Sequence, residues 1–229
     1  MFDASYHIIQ RVCPSVNNPR GGSIFDPSLA LAPRTALAAF CAVCGGVWAY
    51  SMIGSGHYVS ELVGRIFFRQ PASLSPPLFH QPWKSTSLCD FWGFRWHQLL
   101  RPLLMVFGAR PGGALFGKPG AVMGAFAVSA IIHHISTWGM GNGAEFATVG
   151  GFFLLMGVGA VMEGAFTRAT GLRVRGWIGW SWAMTWTTLW GTLIIDAWAR
   201  HGMLANEFLP NGFRPGKKVV DAIIALSGR

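Results

Sequence analysis

Charge is what this sequence has least of. Asp, Glu, Lys and Arg make up 12% of the 229 residues, and only nine of those are acidic. A soluble chain usually carries about twice that charged fraction to stay wetted, so an ordinary water-soluble domain is excluded. Cysteine is scarce too, and four of them build no disulfide scaffold in so apolar a chain. Cys41 and Cys44 form a C-x-x-C inside an apolar run with no second pair, which reads as small residues packing between helices rather than metal or redox chemistry. Residues 1–30 contain Pro14, Asn17, Asn18, Pro19 and Pro27 and no apolar h-region, so insertion is left to the first true span. No basic helix or interleaved basic and aromatic pattern accompanies the net charge of +9, which argues against a nucleic-acid partner.

What is present is apolar and aromatic. Hydrophobic residues reach 52%, mean hydropathy is +0.39, and there are 11 Trp and 17 Phe. Rings in that number suit the interfacial belts of a bilayer. Four runs are long enough to cross about 30 Å of hydrocarbon, over residues 35–53, 121–138, 147–166 and 177–198. The expected fold is therefore an all-α polytopic transmembrane bundle of about four spans. An N-terminal segment (1–34) precedes a membrane core (35–200), and a C-terminal tail (201–229) follows it. Gly45, Gly46, Gly124, Gly157 and Gly159 would let helix backbones approach closely.

The connection 54–120 divides. Residues 71–82, with Pro71, Pro76, Pro77 and Pro82, read as an extended linker. Asp90 is a plausible N-cap for an interfacial amphipathic helix, FWGFRWHQLLRPLL, kinked by Pro102, and Arg110-Pro111-Gly112-Gly113 reads as the turn that closes it. On such a helix Asp90, Phe94, His97 and Arg101 share a face. An arginine there suits either a bidentate grip on cofactor phosphates or an ordinary interfacial anchor.

The second cluster is Ser129 to Thr137, inside a span, where an ionisable residue is costly and usually functional. His133 has Ser129, Ser136 and Thr137 at helical spacing, a polar stripe expected to face the bundle interior, whereas His134 sits among Ala130, Ile131 and Trp138. His133 lies about 12 residues into its span, or roughly 18 Å deep, where an imidazole stays neutral and able to accept a proton. Such a ring can act as general base on an attacking hydroxyl, with no metal and no bound cofactor. There is no G-x-S-x-G elbow, and no D-G follows His133-His134 to complete an H-H-x-x-x-D-G. Glu163 and Asp196, near the ends of spans three and four, read equally as interior hydrogen-bond partners or interfacial charges.

Phe91-Trp92-Gly93-Phe94-Arg95-Trp96-His97-Gln98 resembles the F-W-G-R-R-W-H-Q block of wax-synthase-like membrane-bound O-acyltransferases, with Phe94 at the first arginine position. Val128-Ser129-Ala130-Ile131-Ile132-His133-His134 is similar to that family's V-S-G-x-x-H-[HE] motif, and His-His is the fungal form of it. The resemblance covers roughly residues 79–200. It implies transfer of an acyl group, acetyl in the fungal relatives of secondary metabolism, from acyl-CoA as co-substrate to a lipophilic alcohol such as a terpenoid or a long-chain alcohol. His133 and His134 are then the catalytic pair, with His133 as base, and Trp92, Arg95, Trp96, His97, Gln98 and Arg101 take the acyl-CoA side. Membrane lipid surrounds the chain, the endoplasmic reticulum is the expected location, and an oligomer or partner helices stay open. Members typically carry eight or more spans, so the missing ones are expected upstream of Met1.

The alternatives are a truncated, non-catalytic membrane paralogue and a haem-binding helical protein. Haem held by His133 or His134 needs a second histidine on a facing span, and only His57 lies near one.

Lys and Arg concentrate in 54–120 and 167–176, whereas 139–146 holds none, so the basic connections are expected on the cytosolic side. Cysteines introduced near positions 75 and 171 should react with an impermeant thiol reagent from the cytosol. Reaction from the lumen alone would reverse the orientation.

Overall fold

The computed structural model describes residues 1–71, 76–140 and 143–227, and every regular element among them is helical. The long helices are α1 (Phe2–Val12), α2 (Leu31–Phe68), α3 (Arg110–Gly139), α4 (Phe146–Thr170), α5 (Gly176–Arg200) and α6 (Pro215–Ser227). Part of the expected linker, residues 72–75, lies outside the described residues, as do Gly141 and Asn142 of the connection that lacks basic residues.

The described chain falls into two compact units. The first comprises Met1–Tyr58, Thr137–Ala144 and Gly191–Arg229. Within it the N-terminal segment and the C-terminal tail fold on each other. The carboxylate of Asp3 on α1 accepts from Arg214 Nε at 2.9 Å and from the backbone amide of Lys217 at 2.9 Å, so it caps the first turn of α6 from another helix. Asp221 of α6 in turn meets His7 at 3.0 Å and Arg11 at 2.6 Å. Buried Tyr6 donates to the carbonyls of Met203 and Asn206. Asp196 accepts from Ser23 Oγ at 2.6 Å, Ile24 N at 3.0 Å and Arg200 Nε at 2.5 Å, which makes it an interior partner rather than an interfacial charge. Cys41 and Cys44 are buried free thiols, as packing residues would be.

The second unit comprises Val59–Ser136 and Glu145–Trp190. Here the interfacial helix expected after Asp90 does not form as one piece. Ser87, not Asp90, caps a single turn, Leu88–Asp90, through its hydroxyl to Asp90 N at 2.9 Å. A wide π-turn follows over Phe91–Arg95, and the chain then extends at Trp96 (φ −76°, ψ 160°) before helix resumes at Arg101. Pro102 sits in the first turn of that new helix, where its missing N–H costs nothing, and so does not act as a kink. Asp90 pairs instead with Arg95 at 2.7 Å.

Arg110-Pro111-Gly112-Gly113 is also not a turn but part of a helical arm running on from Arg101. The chain reverses at Phe116–Gly117, where Gly117 has φ +64°, a left-handed value that glycine adopts without strain. Two glycine pairs, Gly108 with Gly124 and Gly112 with Gly120, then bring the backbones of the two arms together. A Cβ on Gly108, Gly112 or Gly124 would collide with the carbonyl oxygen across the pair, and one on Gly120 with that of Gly112. The first arm, at about 1.5 Å per residue from Arg101 to Phe116, reaches only some 24 Å, short of a full crossing.

Three helical stretches are long and apolar enough to cross a membrane: Leu31–Phe68, Arg101–Gly139 and Phe146–Thr170. About four were expected. The fourth run does form a 25-residue helix, α5, but its rings are tryptophans spaced by threonines, and both side chains lower its hydropathy. The first span is longer than expected, because α2 continues past Ile53 to Phe68 and extends about 57 Å at about 1.5 Å per residue. The chain is an all-α membrane protein.

Gly124→Ala should therefore separate the hairpin arms and lower stability by about 1–3 kcal/mol. At Gly46, where a Cβ meets nothing within 4 Å, alanine should be neutral or stabilising. Thermal midpoints in detergent compare the two, and equal midpoints would refute the close backbone packing.

Candidate active site

A cavity of about 390 Å³ opens inside the second unit. One wall is the irregular segment from Leu88 to Arg101, another the hairpin arms through Met105, Ala109, Ala121 and Ala125, and a third α4 through Phe153 and Ala160. Most of the lining is apolar. Its polar side chains come from Gln98, Arg101, Ser129, His97 and His133, with the thiol of Cys89 and the indoles of Trp92 and Trp96 beside them.

His133 reaches this chamber from the second arm of α3. Its Nδ1 donates to the carbonyl oxygen of Ser129 at 2.8 Å, one helical turn back, and Ser129 Oγ lies 3.3 Å from the same nitrogen. That bond puts the hydrogen on Nδ1 and the basic lone pair on Nε2. The ring stacks on Phe153 with centroids 4.0 Å apart. The expected polar stripe is shorter than its spacing suggested. Ser136 is exposed and donates back to the carbonyl of Ile132 at 2.8 Å, while Thr137 is buried. A serine on a helix finds its own backbone carbonyl as readily as a neighbour, and periodicity cannot separate the two outcomes.

His97 lines the same chamber from the opposite wall, in the break that follows Trp96. Its Nδ1 is sealed in protein without a hydrogen bond, so only Nε2 can meet a ligand. Burial first, and the His133 imidazole second, hold its pKa at about 4 instead of 6.5. The His97 ring therefore stays neutral at physiological pH, chiefly because so dry a space penalises the charged form.

Trp92, Trp96, Gln98 and Arg101 line the chamber too. Arg101 Nη1 donates to Gly93 O at 2.6 Å and Gln98 Oε1 at 3.0 Å, and it reaches solvent. Arg95 does not line the cavity. Its guanidinium is engaged by Asp90 and by the carbonyl of His80 at 3.1 Å, which pins the wall from behind. His134 also lies outside the lining, edge-on to Phe146 at 5.4 Å, with its Nδ1 sealed and without a hydrogen bond.

Sequence reasoning left Glu163 open, and it is an interior partner. Its carboxylate is buried and accepts from Leu88 N at 2.6 Å, Cys89 N at 3.0 Å and Trp182 Nε1 at 2.9 Å. Phe153, under His133, was not singled out at all, since one aromatic in an apolar span carries no distinguishing signal. Among the described residues no three His, Cys, Asp or Glu side chains converge to hold a metal ion.

A helical membrane protein with two imidazoles facing one apolar chamber is thus the class defined by fold and site. Residues 75–155, about a third of the chain, match the membrane bound O-acyl transferase family. The chain is 30% identical to a long-chain-alcohol O-fatty-acyltransferase of Simmondsia chinensis over 107 residues, which are 43% of this chain and 30% of that protein. It is 32% identical to an acyl-CoA–sterol O-acyltransferase of Arabidopsis thaliana over 106 residues, 43% of this chain and 31% of the relative. The matched segment therefore spans less than a third of either relative's length. No solved structure matches the chain.

The depressed pKa of His97 has a consequence for stability. Between about pH 4 and 6.5 the unfolded chain binds a proton at this residue and the folded chain does not. Stability from His97 is thus present above that window and is lost as pH falls through it. His97→Gln should flatten the fall in thermal midpoint between about pH 6.5 and 4. An unchanged slope would mean that the ring is already protonated when folded.

Proposed function

We propose that this chain forms the active-site portion of a membrane-bound O-acyltransferase that moves an acyl group from acyl-CoA to a hydroxyl of a lipophilic alcohol. The observation that carries the reading is His133 itself, an imidazole at an apolar chamber with its Nδ1 bound to the Ser129 carbonyl and its Nε2 left for a ligand. His133 Nε2 takes the proton of the alcohol as its oxygen attacks the thioester carbonyl carbon. The carbon–sulfur bond of the resulting intermediate then breaks, and the imidazolium returns the proton to the leaving CoA thiolate. Trp92, Trp96, His97 and Gln98 form the acyl-CoA wall. Arg101, exposed at its edge, suits the phosphates of the donor. Arg95 serves that wall from behind, through Asp90, and His134 supports the helix by packing.

The donor we propose is a short acyl group, acetyl first, and the acceptor a terpenoid or long-chain alcohol, in the endoplasmic reticulum. Support comes from the His-His form of the motif and from a chamber of about 390 Å³ that must hold the acyl group and the reacting end of the acceptor together. The names of the relatives, one acting on long-chain alcohols and one on sterols, support a lipophilic acceptor.

The test offers membranes containing the protein labelled acetyl-CoA or palmitoyl-CoA with terpenoid, sterol and long-chain alcohols. His133→Ala should lose about 10²–10⁴-fold in turnover while still inserting, and His134→Ala should lose less. If His134→Ala abolishes turnover while His133→Ala keeps more than about a tenth of it, the base is misassigned. Palmitoyl-CoA outcompeting acetyl-CoA by about tenfold would overturn the short donor.

A further inference from the structure

The acyl-CoA wall is irregular, and irregular backbone in an apolar setting must be held by something. Between Leu88 and Leu100 the chain makes one α-turn, one π-turn and an extended break, so few of its amides are paired by regular helix. The first two, Leu88 N and Cys89 N, converge on Glu163, whose third hydrogen bond comes from Trp182 on α5. One carboxylate on α4 thereby ties down both the start of the wall and the neighbouring helix. Packing reinforces the junction, since a Cβ on Gly159, one turn before Glu163, would lie 2.5 Å from Leu88 Cδ1 and 2.7 Å from Trp186 Nε1.

We infer that Glu163 is a positioning residue for acyl transfer, whose carboxylate sets where Cys89 to Gln98 stand and so how well the chamber binds acyl-CoA. This rests on the function proposed above. It assigns to a buried acid on α4 a role in donor affinity rather than in the chemical step. Both oxygens of Glu163 are needed, because the two backbone amides approach different ones. Glutamine would turn an NH₂ toward one of those N–H groups, two donors facing each other.

Cys89 offers a readout that needs no turnover. It is the exposed cysteine, it lines the chamber, and Cys13, Cys41 and Cys44 are buried. Desolvation by the chamber walls, with the nearby Glu163 charge adding to it, pushes its thiol up to about 12. Neutralising Glu163 and loosening the Cys89 amide both act to speed its alkylation.

The experiment compares wild type with Glu163→Gln in native membranes. KM for acyl-CoA is expected to rise about tenfold with kcat changed less than about threefold. N-ethylmaleimide should modify Cys89 at least about threefold faster at mildly alkaline pH. An inserted Glu163→Gln protein with unchanged KM and unchanged labelling overturns the inference, as does a fall in kcat and thermal midpoint with KM unaltered. If Glu163→Gln does not fold, Trp182→Phe removes one donor and keeps the carboxylate on both amides. It should raise KM about two- to fivefold, and no change in KM or labelling overturns the inference by the same standard. If wild type turns over no donor and acceptor pair, the acyltransferase reading fails, and the labelling rates alone decide the role of Glu163.

Discussion

The chamber depends on a charge kept where charges are expensive. Glu163 lies well inside an apolar helix, and an ionised carboxylate survives there only when its oxygens are filled by donors. Two backbone amides and an indole fill them. The exchange works in both directions, because those amides open a turn that has no preceding helix to receive them and would otherwise be buried and unpaired. From that turn the chain runs through the Asp90–Arg95 pair to the break at Trp96, which lets His97 face the cavity instead of lying on a helix surface.

The opposite wall is built on absence of side chain. Gly108 against Gly124 and Gly112 against Gly120 allow two helical arms to touch backbone to backbone, with Gly117 making the reversal. In lipid such contact replaces the hydrophobic drive that packs helices in water. From the second arm Ala121, Val122, Ala125 and Phe126 border the cavity on the same helix as Ser129 and His133. The imidazole is steered by its own helix through the Ser129 carbonyl and by α4 through the Phe153 ring, so neither its tautomer nor its plane depends on a loop.

The other unit uses charge differently. Asp3 is buried, and burial alone would raise its pKa, but the amide of Lys217 and the guanidinium of Arg214 outweigh that and hold its carboxyl below the usual range. A helix cap supplied by a residue more than two hundred positions away joins α1 to α6. Neither α1 nor α6 carries a long apolar run, so reading for spans passes over both; the pairing of one helix with the other exists only once the chain is folded.

Particular residues mark how far the sequence could be read. Sparse charge and long apolar runs determined an all-α membrane protein, because a bilayer accepts little else. The short motif around His133 singled out the ring that borders the cavity, since an ionisable side chain in a span needs a reason to be there. Trp92, Trp96, His97, Gln98 and Arg101 were legible as a group for their density of aromatic and polar groups, although the single helix drawn through them was wrong. A 3.6-residue period describes a helix but does not reveal where one breaks, and the segment that breaks is anchored at its start by Glu163, some seventy residues away. The reversal at Gly117 is hidden for a similar reason: glycine permits a left-handed turn without requiring one, and only the matching glycines on the facing arm make it pay. Ser129 and Ser136 look alike by spacing, yet one meets His133 and the other its own helix carbonyl. Local sequence determined the solvent, the helices and the histidine that borders the cavity. Tertiary structure alone decided which polar groups meet across the chamber, because those hydrogen bonds join residues with no periodic relation along the chain.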